Sequence, residues 1–426
     1  MNESHHILIG FELNKDGAQL CYYDRKAGEP VSVASKVGTE QYLFPLLLCK
    51  MPEKDEWHFG IEADYFSRHG GILVEDLYER LFTEEPLELD GRAYSPAELL
   101  AVYMEAALQL LGVSELAENV AHLTFTTEKL TRILVEHVRR ALAIQGFDAR
   151  VCTVQDKSES GFYYVYSQKQ EVWNRKIAFF DFSQTEDPAL PGVVRDLKVT
   201  YRAMDMNRTT KPILVRPEAA AALELPEDKK ERDEALAHYA MKEMSNQLFS
   251  AVFLTGRGFD QSWAKSTLAF LCRGGRRVFT GSNLFVRGAC YASLEKETHH
   301  LKQLLYLGED LIRTNVGMDM IVRGNPAYYP LISAGTNWFD ADTRCRLILD
   351  DRDYLAFSIN SMDGRVKKRC RMELPGLPKR PNRTTCLELS LSCPTEKECV
   401  VKVKDLGFGE MFESSGLEWE DTLPLG

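Results

Sequence analysis

The sequence predicts an α/β protein followed by a separate antiparallel β domain, and three observations predict it. Two strand–turn–strand units each carry an acid just before the turn, at Glu12 and Asp181. Apolar strand runs alternate with capped helical runs through about residue 324. From about residue 325 only strand patterning remains, apolar and polar residues alternating between turns.

The first unit of pattern is "ILIGFELNKDGAQLCYYD", residues 7 to 24, a β-hairpin with Asn14, Lys15, Asp16 and Gly17 as its turn. An irregular stretch through "WHFGIEADYFSRHGG" precedes a helix at "YSPAELLAVYMEAALQLLG". There Ser95 is the N-cap, Pro96 takes the first helical position, Glu98 closes a capping box and Gly112 stops the run. The strand "NVAHLTFTT" feeds a second helix ended by Gly146, and "ARVCTVQD" leads into the helix "SESGFYYVYSQ".

The theme then repeats. "KIAFFDFSQTE" is a strand with Asp181 before a polar turn, and "VVRDLKVTYRAM" is its return strand. An acidic helix through "EDKKERDEALAHYAMKEM", an apolar strand "SAVFLTGRGFD" and a helix ending before "RGGRR" complete it. The charge run at 227–234 reads as the solvated face of a helix. In the tail, "RCRLILDDRDYLAFSINSMDGRVKKRCRMELPG" and "TTCLELSLSCPTEKECVVKVKDLGF" read as an antiparallel sandwich.

Composition narrows the function. The chain has 426 residues, enough for two or three domains, with 44% hydrophobic and 27% charged residues. Its formal net charge of −11 argues against a nucleic-acid partner, which needs Lys and Arg concentrated on one face. No run reaches the length of a membrane span and no secretory leader is evident, so a cytoplasmic protein is expected. The ten cysteines include no Cys-x-x-Cys pair and are expected to stay thiols at strand positions. His5 and His6, the "THH" at 298–300 on a helix, and the glycines of "LCRGGRR" match neither a catalytic metal site nor a Walker loop. Tyr163, Tyr164 and Tyr166 are expected to pack between halves of the fold.

Two acid-tipped hairpins followed by the Gly-bearing strand end "LTGRG" resemble the actin-like ATPase superfamily in their order. That resemblance implies two actin-like (ribonuclease H-like) lobes around a cleft, lobe I over 1–175 and lobe II over 176–324 with a reduced outer subdomain. A β-sandwich over 325–426 would follow. Gly10 and Glu12 fall on the first phosphate motif; Asp181, Ser183 and Thr185 fall on the second. Asp156 falls on the acid of the connecting helix, Gly256 and Gly258 fall on the adenosine motif, and "LFVRGACYAS" matches the helix after it. The phrases "YSPAELLAVYMEAAL", "LPGLPKRPNRTTCLELSLS" and "KDLGFGEMFESSG" are similar to DnaK-type heat-shock chaperones. Their implied cofactor is ATP or ADP with Mg²⁺, and their implied partner is a protein or extended peptide. Glu12, Asp156 and Asp181 would then surround the hydrated metal, with Asn14, Lys15, Ser183, Thr185, Gly256, Arg257 and Gly258 lining the nucleotide.

The residues also depart from that pattern. The first turn carries Asn14, Lys15 and Asp16 instead of small residues, the second reads Ser183-Gln184-Thr185 instead of glycines, and Arg257 replaces a glycine. Two like charges about 4 Å apart repel by roughly 4 kcal/mol at an effective dielectric near 20, enough to turn a micromolar phosphate site into a millimolar one. The expectation is therefore a pseudo-ATPase kept as a protein-interaction scaffold, with no cofactor if the cleft is dead. The alternative is an active Mg·ATP-dependent chaperone-like ATPase.

Overall fold

The computed structural model describes residues 6–15, 17–36, 38–54, 56–187, 190–362 and 367–426. The chain divides into two compact units, residues 1–206 with 217–303, and residues 207–216 with 304–426. The second unit thus begins ahead of the change in texture at 325 and takes in a short earlier segment.

The first unit opens with β1 (Ile7–Asn14) and β2 (Gly17–Asp24), antiparallel, in register Glu12↔Gln19 and Asn14↔Gly17. Asn14 and Gly17 thus belong to the strands, where the sequence reads them as turn; Asp16 lies outside the described residues. β3 (Glu29–Ser32) pairs with β2. A small sheet of β4 (Leu48–Lys50), β5 (Trp57–Phe59) and β6 (Ile72–Val74) accompanies α1 (Gly60–Ser67), where the sequence reads as irregular. α1 has no side-chain cap and buries only Gly60 and Ala63, so it has no apolar stripe to announce it.

α2 (Leu77–Arg80) and the hairpin β7 (Leu87–Leu89) with β8 (Arg92–Tyr94) lead to α3 (Pro96–Gln109). Its capping box forms: the Glu98 N–H donates to Ser95 Oγ at 3.3 Å and the Ser95 N–H donates to Glu98 Oε2 at 2.8 Å. α4 (Leu116–Asn119), β9 (Val120–Thr127), α5 (Arg132–Ile144), β10 (Cys152–Asp156) and α6 (Lys157–Tyr166) follow. The sheet order is β10-β9-β1-β2-β3, with β9 parallel to both β1 and β10.

The same topology recurs. β11 (Lys176–Asp187) and β12 (Leu190–Asn207) form an antiparallel hairpin; β13 (Ile213–Ala219) follows, and β14 (Leu223–Leu225) pairs with β12. After α7 (Lys229–Glu243), β15 (Phe249–Thr255) runs parallel to β11. After α8 (Lys265–Leu271), β16 (Arg277–Gly281) runs parallel to β15, giving the order β16-β15-β11-β12. In both sheets a hairpin is extended by two parallel strands, each reached through a helix-bearing connection.

α9 (Leu284–Thr298) then returns to pack on β1, β9 and α6. Two glycines permit the approach. A Cβ on Gly10 would lie 2.3 Å from Val286 O, and one on Gly288 would lie 1.9 Å from Ser160 O. Ser293 Oγ donates to Ile9 O at 2.7 Å, so the buried hydroxyl is satisfied. The helix closes at Thr298; His299 turns left-handed at φ 50°, so of "THH" only the threonine is helical.

In the second unit, β17 (Leu304–Tyr306) runs parallel to residues Ile213, Leu214 and Val215 of β13. Two four-stranded antiparallel sheets follow. One has the order β19 (Asn325–Ile332), β18 (Thr314–Val322), β21 (Tyr354–Ser361), β22 (Lys367–Glu373). The other has the order β20 (Thr343–Ile348), β23 (Cys386–Thr395), β24 (Glu398–Gly407), β25 (Glu418–Pro424). Alternate residues of both, such as Phe357, Ile359, Leu387, Leu389 and Val401, enter one apolar cluster. All ten cysteines are free thiols; Cys393 and Cys399 are buried in that cluster.

Candidate functional site

Glu12 lies near the end of β1 and Asp181 in the middle of β11, and the fold brings their carboxylates to one cation, Lys157. Lys157 Nζ donates to Asp181 Oδ2 at 3.2 Å and sits 3.8 Å from Glu12 Oε1. All three side chains are nearly inaccessible: 9% for Lys157, 13% for Asp181 and 3% for Glu12. The ammonium also stands over the Phe285 ring, 5.1 Å from its centroid.

Neighbours complete the arrangement. Asn14 Nδ2 donates to Glu12 Oε1 at 3.0 Å. Gln19, directly across the hairpin from Glu12, donates through Nε2 to Ser282 O at 2.9 Å, just before α9. Glu12 Oε2 and Gln19 Oε1 are buried without a hydrogen-bond partner.

Burial pushes the Glu12 carboxyl up to about 7, and Asp181 adds to the rise. Lys157, the Asn14 amide and the Val286 N–H in the first turn of α9 pull the other way. Burial opposes the charge on Lys157, yet Asp181, Glu12 and Glu128 together hold its ammonium above the ordinary lysine range. The outcome is a buried cation held by two acids, one of them harder to ionise than an ordinary glutamate.

The other sequence-derived positions make different contacts. Asp156 is the N-cap of α6 and its carboxylate accepts the Glu159 N–H. Lys15 and Ser183 are exposed, as is Arg257. β11 continues past Asp181 to Asp187, so Ser183 and Thr185 lie in a ladder opposite Lys198 and Asp196, not in a turn. The reason is the partner: β12 pairs with this segment, and Ser183-Gln184-Thr185 contains no Gly or Pro to stop the strand. The side chain of Thr185 lies outside the described residues.

Gly256 has φ +97°, and a Cβ there would lie 2.1 Å from Phe182 O. Gly258 N–H donates to Phe182 O at 3.4 Å, and its own Cβ would strike Leu197 Cδ1 at 2.1 Å. Both glycines are therefore spent on pressing the end of β15 against β11.

Sequence reasoning missed Lys157, although a signal existed. A lysine in the first turn of a helix opposes the macrodipole, so it needs an external reason to be there. Among the described residues no group of three or more His, Cys, Asp or Glu could hold a metal ion. No helix of the described residues is long and apolar enough to cross a membrane.

Residues 29–309 match the model described as "Family of unknown function (DUF5716) C-terminal". The chain belongs to that family. Residues 311–425 match a second model, "Domain of unknown function (DUF8552)", so the two matches meet close to the start of the second unit. No curated protein matches the chain. Among solved structures, a non-polymerising mutant of MamK bound to AMPPNP is similar over 69% of this chain and 99% of that one, at 9% identity and a TM-score of 0.36.

Proposed function

We propose that this protein is a pseudo-ATPase: a divergent, DnaK-like member of the actin-like group that serves as a cytoplasmic protein-interaction scaffold. The observation that carries the reading is Lys157, whose ammonium sits between Glu12 and Asp181. Mg²⁺ takes oxygen ligands and keeps several waters, so it needs both carboxylates free and room around them. Here a buried lysine holds one positive charge in that space.

Asp156, Gly10 and Gly256 support the same reading. Asp156 is engaged at the N-terminus of α6, and the space that glycines leave for a phosphate is filled at Gly10 by Val286 and at Gly256 by Phe182. The two antiparallel sheets of the second unit, read as a sandwich, would supply the partner-binding part. The competing reading, an active chaperone-like ATPase, draws on one feature: the unpartnered oxygens of Glu12 and Gln19, which a ligand could engage.

Thermal unfolding of the full chain with millimolar Mg·ATP separates the two. A micromolar site would stabilise the native state by about 2.7 kcal/mol at a hundredfold excess over Kd, a plain rise in midpoint. The scaffold reading expects no rise. A rise abolished by Asp181→Ala would overturn it.

A further inference from the structure

In the second unit, β18, β19, β20 and β21 border a groove of about 1230 Å³. Small-molecule sites span roughly 300–1,000 Å³, so this one has room for a segment of chain. Apolar side chains stand open along it: Ile321 is 58% exposed and Ile348 51%, with Tyr328 and Tyr329 beside them.

The four sheet edges of this unit are not equivalent. β19 carries Pro326 and Pro330, which cannot donate to an added strand. β22 carries Lys367, Lys368, Arg369 and Arg371, and Lys368 Nζ donates to Gly426 O at 2.8 Å. β25 presents Glu418, Glu420 and Asp421, of which Glu418 and Glu420 pair with Lys404 and Lys402. β20 carries no proline and only Arg344 and Arg346 as charged residues, and among the described residues nothing pairs with its outer edge.

The basic side chains of this edge are partly matched: Glu388 of β23 pairs with Arg344 at 2.5 Å and lies 3.7 Å from Arg346. Arg344 and Arg346 of β20 are exposed, on the face opposite Cys345 and Leu347, which turn toward the apolar cluster. Arg323, Arg346, Arg352 and Arg383 line the groove against two acids, Asp319 and Asp350. Asp350 is already held by Arg383 at 2.9 Å, and Asp319 lies 4.0 Å from Arg369. Among the described residues Arg323 and Arg352 make no ion pair, so a cationic surplus faces the groove.

We propose that the β20 edge binds an extended protein segment by strand addition, and that this segment alternates apolar with acidic residues. The apolar positions lie beside Cys345 and Leu347 and extend the core; the acidic ones answer the cationic surplus of the groove, carried by Arg323 and Arg352. The inference rests on the scaffold reading and names the chemistry of its partner.

The test uses the full chain and two fluorescein-labelled decapeptides, one alternating valine with aspartate and one alternating valine with lysine. Fluorescence anisotropy is expected to show the aspartate peptide binding at least tenfold more tightly, with affinity falling as salt rises. In the surface variant Arg346→Glu with Arg352→Glu the preference is expected to reverse. Hydrogen exchange with the aspartate peptide bound is expected to slow the amides of 343–348.

Equal affinity for both peptides, no binding of either, or protection confined to another strand would each overturn the proposal. So would a concentration-dependent dimer dissolved by Arg346→Glu, which would make a second copy the occupant. A thermal shift with Mg·ATP alongside intact peptide selectivity would defeat the scaffold reading and leave the β20 site standing.

Discussion

Lys157 Nζ lies 3.2 Å from Asp181 Oδ2, joining the first residue of α6 to the middle of β11 across the first unit. The pair is buried, and Glu12 closes it from the third side. Buried ions are costly to leave single, so each member depends on the others.

Lys157→Met should therefore destabilise the protein by about 3–5 kcal/mol, because it strands buried carboxylates without a counter-charge. Removing all three charges together, as Lys157→Met with Glu12→Gln and Asp181→Asn, should recover most of that loss. Urea unfolding midpoints of the two variants check it; equal midpoints would show that the triad has no ionic coupling.

Glu12 sets a pH dependence with a defined sign. Its folded pKa is raised from 4.5 to about 7, so between those values the native state keeps a proton that the unfolded chain has lost. Its contribution is present in full below about pH 4.5, declines as pH rises toward 7 and is flat above. The span is about 3 kcal/mol at 1.36 kcal/mol per unit. Glu12→Gln should remove this slope and stabilise the protein above pH 7, seen by denaturant unfolding across pH 4.5–8.

Gly288→Ala should cost about 3 kcal/mol, since its Cβ would meet the Ser160 backbone at 1.9 Å and force α6 from α9. Gly274→Ala is the control. It carries the same methyl into open space at φ +72° and should cost only about 1 kcal/mol of backbone strain. Similar losses at both positions, by thermal or urea unfolding, would contradict the close approach of the two helices.

Much of the framework was legible because its signals are local. Ser95 and Glu98 announce α3, the alternation in "TTCLELSLSC" announces β23, and the acid before the first bend places Glu12 near the end of β1, whereas Asp181 falls in the middle of β11. Other features depend on residues far apart in the chain. Asp156 and Lys157 are adjacent in sequence, yet one turns back to cap its own helix while its neighbour reaches two strands. The lysine's place in the first turn marks it as needing an outside partner, but only the meeting of α6 with β1 and β11 supplies Glu12 and Asp181. Likewise Ser183 and Thr185 look like a bend when read alone and become strand because β12 offers them a partner.

The bare flank of α9 has a mechanical consequence. With Gly10 below it and Ser160 beside it, this helix is pressed directly onto the backbone of β1 and α6. A tilt of α9 alone is therefore barred: to lean away, the helix would have to carry the floor of the sheet with it.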